Sequence, residues 1–65
     1  MTDKMAIHEA ARKLIARYGQ DAARQAEIRA EELRAAGDGE GHVMWQDIQR
    51  AVVAMLKDPS SGSRH

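Results

Sequence analysis

Alanine dominates the apolar residues of this chain, and that limits what it can fold into. Of 28 apolar residues in 65, 12 are alanine; the 16 larger ones are four Met, four Ile, three Val, three Leu, Trp45 and Tyr18. A domain of this length buries only about 60% of the surface its unfolded chain exposes. Ordering costs roughly 1.5 kcal/mol per residue and apolar burial contributes about 25 cal/mol per Å², and in small scaffolds the two nearly cancel. Disulfides, metals, partners or very regular helix packing usually tip that balance. The chain has no cysteine, so disulfides and cysteine-based zinc sites are excluded. That leaves good helices, a partner, or both.

Helices are what the residues favour. Alanine, glutamate, arginine, leucine and methionine are strong helix formers, and no window alternates β-branched or aromatic residues as a strand would. Gly19, Gly37, Gly39, Gly41, Gly62 and the single Pro59 divide the chain. The division predicts an all-α domain of three helices, over about 3–18, 21–36 and 40–57, within a single domain spanning 1–58. Thr2 or Asp3 can cap the first helix, Asp21 the second and Asp38 the third. Gly19 and Gly37 suit the left-handed position just past a helix end. Lys57 suits a C-terminal dipole, and Pro59 prevents continuation. The tail 59–65 has nothing to bury and is expected to be disordered.

Projected at 100° per residue, Met44, Trp45, Ile48, Val52, Met55 and Leu56 share about 120° of the third helix. Ile7, Ala10, Ala11, Leu14 and Tyr18 form the stripe of the first. The stripe of the second is Ala22, Ala23, Ala26, Ala30 and Leu33, small enough for close approach of helix axes. The second and third helices are expected to form an antiparallel hairpin with the first packed against it. Met5, Ile28, Val43 and Val53 project off these stripes, and Ile15 sits at an edge. Single exposed apolar residues are common; together they can also mark a second contact surface.

Little in the sequence resembles catalytic machinery. His8, His42 and His65 show no i,i+4 pair and no His-Glu-x-x-His motif, so no metal site is expected. Glu31-Glu32 point about 100° apart on a helix and lack the contrasting environments of an acid–base pair. No serine precedes residue 60, which leaves covalent catalysis without a nucleophile beyond Thr2 and Tyr18. The run Gly37-Asp38-Gly39-Glu40-Gly41 lacks the lysine and strand of a phosphate loop and the ligand spacing of a calcium loop. It reads as a capped helix–helix turn. The charges pair along helix surfaces: Glu9–Lys13 at i,i+4, and Asp21–Arg24, Glu31–Arg34 and Asp47–Arg50 at i,i+3. No catalytic, cofactor or metal residue is assigned, and no cofactor is expected.

Ten basic and ten acidic residues give zero formal net charge, which argues against bulk attraction to nucleic acid or membrane. Seven of the ten basic residues are arginine. A helix-turn-helix would set the third helix as recognition helix, offering Gln46, Asp47, Gln49 and Arg50 to bases. Nucleic acid is therefore a possible but less favoured partner. No apolar run approaches the roughly 18 residues of a membrane span, and the N-terminus has no signal-like core. The expected setting is the cytoplasm.

The residues Ala10, Leu14, Tyr18-Gly19, then Ala22, Ala26, Ala30, Leu33, then Ala36-Gly37-Asp38, Gly41, Trp45 and Ile48 resemble a family of short bacterial helical proteins. Their shared segment is Gly-Asp-x-x-Gly-x-x-x-Trp-x-x-Ile, and the resemblance spans about residues 6–56. It implies a compact helical fold and no chemistry. The functional expectation is a non-enzymatic accessory or protein-interaction module, self-associating or bound to a protein partner. Its expected interface or core anchors are Trp45, Ile48 and Met44, with Tyr18 and Ile28 in support.

Overall fold

The computed structural model describes residues 4–57, and every regular element among them is helical. Helix α1 spans Lys4–Tyr18, a single 3-10 turn follows at Gly19–Asp21, helix α2 spans Ala22–Ala35, and helix α3 spans Gly39–Lys57. The first two helices are thus joined without a gap. The chain makes two continuous helical runs, 4–35 and 39–57, rather than the three separated helices expected. The physical reason lies at Gly19. Its φ of 61° turns the chain, but the next residues re-enter helix at once: Asp21 (φ −86°, ψ 0°) and Ala22 (φ −62°, ψ −39°) are both right-handed. Gly19 is a bend within a run and not a stop. The expectations for Thr2, Asp3, Pro59, His65 and the tail fall outside the described residues.

Asp21 also departs from its expected role. It makes no side-chain cap bond to α2, because the 3-10 turn already feeds the helix: the Ala22 amide donates to the Gly19 carbonyl. The Asp21 carboxylate instead accepts a hydrogen bond from Gln25 Nε2 at 3.1 Å.

The connection between α2 and α3 is a true reversal of only three residues, Ala36-Gly37-Asp38. The Asp38 amide donates to the Leu33 carbonyl at 2.8 Å and the Gly37 amide to Arg34 at 3.1 Å. This nested pair closes the end of α2 around a left-handed residue, and Gly37 supplies it at φ 85°. Asp38 then caps α3: its Oδ1 accepts from the Gly41 amide at 2.9 Å, and its carbonyl accepts from the His42 amide at 2.9 Å. One residue therefore ends one helix and begins the next.

The two helices form the expected hairpin, and they make the most extensive contact in the fold, with α1 packed more on α3 than on α2. Ala11, Ala22, Ala26, Ile48 and Val52 make one buried cluster, with Ala30 also buried. Alanine lets α2 lie close to α3, as its stripe predicts. The consequence is a thin core. Among the described residues, Val52 is the one large side chain that is fully buried, with Ile48 at 3% exposure. Ile7, Leu14, Ile15, Met44, Trp45, Met55 and Leu56 pack against the cluster while remaining partly exposed.

Candidate interaction surface

The site residues expected from the sequence do not converge on one place. Ile48 is core. Met44 and Trp45 flank it on α3 and stay half-buried. Tyr18, at the last position of α1, is 39% exposed, and the Arg17 guanidinium lies 5.7 Å from its ring centroid, within cation–π range. Ile28 is 43% exposed on the outer side of α2, opposite the buried alanines. Met5, Val43 and Val53, also projected off the stripes, are likewise exposed. Ile15 is partly buried, as an edge position should be. The exposed apolar residues are spread over three helices.

Two contacts at the α2–α3 turn go beyond the sequence reading. His42 Nδ1–H donates to the Ala30 carbonyl at 3.0 Å. A carbonyl only accepts, so Nδ1 carries the proton. The bond ties the first turn of α3 to α2 across twelve positions. Gly41 is the second: a Cβ there would come within 2.6 Å of Asp38 Oδ2 and 3.1 Å of Leu33 Cδ1. Glycine at this position leaves room for the cap. The spacing Asp38-x-x-Gly41 was the available signal for it.

Charges lie on the surface in short-range pairs. Arg34 meets Glu31 at 2.9 Å, Arg50 meets Asp47 at 3.3 Å, and Arg29 meets Glu32 at 3.1 Å. The first two match the expected spacing; the third takes Glu32, which the adjacent-carboxylate pattern had set beside Glu31. Glu9–Lys13 and Asp21–Arg24 do not close into ion pairs among the described residues. The hydrogen bond from Arg34, and then its charge, hold the Glu31 carboxyl below its ordinary value. Glu31 in turn raises the Arg34 guanidinium.

Shallow grooves run along the helices. One, of ≈ 440 Å³, follows the outer stripe of α3 along Gln46, Gln49, Arg50, Val53, Ala54 and Lys57. Another, of ≈ 500 Å³, lies between α1 and α3, with Lys4 and His8 facing Asp47 and Arg50. Among the described residues, no group of three or more His, Asp or Glu is placed to hold a metal ion, and no helix is long and apolar enough to cross a membrane. In comparisons with protein-family models, curated proteins and solved structures, the chain matches none.

Proposed function

We propose that this chain is a non-enzymatic helical interaction module that associates with itself. The supporting observation is the thin core. Four alanines, Ile48 and Val52 are buried, while Trp45, Met44, Met55, Leu56, Leu14 and Ile7 are left half-covered. A chain this small has little stability to spare, and covering those side chains in a second copy adds apolar burial at about 25 cal/mol per Å². Trp45 and Met44 are the anchors of this reading, since they pack against the core and remain partly exposed. The resemblance of the segment from Gly37 to Ile48 to short helical bacterial proteins belongs to the same reading. Sedimentation of the whole chain across micromolar concentrations tests it: a dimer–monomer equilibrium is expected, and a stable, cooperative monomer throughout would end it.

A second reading, a small DNA-binding regulator, has two favouring observations. The groove along α3 presents Gln46, Gln49, Arg50 and Lys57 with no acid lining it. The three-residue turn also has helix-turn-helix length. Against it, α2 and α3 pack over much of their length, whereas a helix-turn-helix crosses its helices at about 90–120°. A duplex titration across salt separates the readings, because several phosphate contacts give a steep fall in affinity.

A further inference from the structure

We infer that self-association proceeds by exchange of α1 between two copies, with Gly19 as the hinge; this rests on the self-association proposed above and adds an exchanged contact to the one at Trp45 and Met44. The exposed large apolar residues Met5, Tyr18, Ile28, Val43 and Val53 are scattered, whereas a standard interface needs about 800 Å² per partner. Exchange needs no such patch. It reuses a surface already built for a copy of this chain, the face of α3 and α2 that α1 covers, where Ala11 joins Ala22, Ala26, Ile48 and Val52.

The hinge is favourable for exchange. Tyr18 (φ −114°, ψ −10°), Asp21 and Ala22 already lie in the right-handed helical region, and Gly19 is the one residue of the run with positive φ. Rotating Gly19 into the helical region therefore makes 4–35 one helix, about 48 Å long at 1.5 Å per residue. Its α1 half then leaves its own hairpin and can occupy a partner's. The turn is three residues with no side-chain cap bond at its start, and short hinges invite swapping. α1 is also the least embedded of the three helices. The other turn is locked by contrast. Gly37 sits inside the nested bonds to Leu33 and Arg34, Asp38 caps α3, and His42 is tied to Ala30. Exchange breaks the chain's path at Gly19 and leaves the α2–α3 hairpin intact.

The closed bend needs a left-handed residue, and a Cβ at Gly19 meets nothing within 4 Å. Gly19→Ala therefore acts through the backbone alone. It disfavours the closed bend by roughly 5- to 30-fold per chain, and since a dimer contains two hinges, its Kd should fall on the order of 25- to 900-fold. Gly19→Asn, whose side chain tolerates the left-handed region, should stay near wild type. The experiment is sedimentation of wild type and both variants, with isotope-filtered NOEs on a co-refolded mixture of ¹³C-labelled and unlabelled chains. Intermolecular NOEs from the Ala11 methyl to Ile48 and Val52 are expected in the dimer. A dimer lacking them overturns exchange and leaves self-association standing. Wild type and Gly19→Ala both monomeric overturns both. A monomeric wild type overturns both for this chain, even beside a dimeric Gly19→Ala. If Gly19→Ala does not fold, the wild-type NOEs decide alone, and lengthening the hinge after Gln20 should abolish them.

Discussion

Asp38 and Gly41 should be energetically coupled, and the geometry gives the size of the coupling. Asp38→Ala removes the side chain that accepts from the Gly41 amide at 2.9 Å and leaves the Asp38 backbone bond to Leu33 in place. Losing a helix cap of this kind costs about 1 kcal/mol, within a range of roughly 0.5–2. Gly41→Ala gains up to about 1 kcal/mol of helix propensity. In the native background, however, its Cβ would come within 2.6 Å of Asp38 Oδ2 and 2.9 Å of its Cγ, so the cap must move. Gain and loss then roughly cancel, and Gly41→Ala alone should be close to neutral. Once Asp38 is alanine, those two close approaches are gone and only Leu33 Cδ1 at 3.1 Å remains. Gly41→Ala should then stabilise by nearly its full propensity. The predicted coupling is about 1 kcal/mol, the energy of the cap itself. Thermal melts of the four proteins by circular dichroism at one fixed concentration read it, since 1 kcal/mol moves Tm by about 4–8 °C in a domain this small. Additivity within about 0.3–0.5 kcal/mol, the behaviour of independent sites, would refute the capping account.

The adjacent valines provide a second test, because Val52 is fully buried and Val53 is 44% exposed. Val52→Ala should cost about 2 kcal/mol, from lost burial plus a residual cavity, and Val53→Ala should stay within about ±0.5; equal effects in denaturant melts would contradict the assigned faces. Trp45→Ala should cost between about 1 and 3 kcal/mol, less than the 3–5 typical of a buried tryptophan, because its ring is only half-buried. Gly39 has open space around a Cβ, so Gly39→Ala should stabilise by up to about 1 kcal/mol, and a loss would place an unseen constraint there. The Glu31 carboxyl is held below its ordinary value of 4.5 by Arg34. Its contribution to stability is therefore present above that value and lost as pH falls through the lowered one. Because both partners are exposed, Glu31→Gln should flatten the acid limb of the stability profile only slightly, and less again at high salt. A flattening at neutral pH would contradict the assignment.

Much of the fold follows from side-chain spacing. The stripe from Met44 to Leu56 and the alanine stripe of α2 are period-3.6 patterns, and the helices bury those faces. Ile28 and Val53 project away from them and are exposed. The Asp38 cap was legible from residue type and position. The union of α1 and α2 was not, since a glycine that ends a helix and one that bends it look alike in sequence; only the dihedrals of Asp21 and Ala22 tell them apart. The same bend left Asp21 without a capping task. The His42–Ala30 bond depends on how closely alanine lets two helices approach, a tertiary distance that no local pattern encodes. The expected anchors show a further limit. Periodicity places Ile48, Trp45 and Met44 on one face, but the thickness of the opposing helices decides which is covered. Ile48 is buried while its neighbours are not.

We propose that the thin core is completed by a second copy. The most direct test is the melting temperature of the whole chain as protein concentration is varied about a hundredfold, with mass measured by light scattering at each point. Binding in the folded state alone makes Tm depend on concentration. Tm is expected to climb with concentration as the mass moves from monomer to dimer. A single cooperative transition at constant Tm, with a monomer mass throughout, would contradict it.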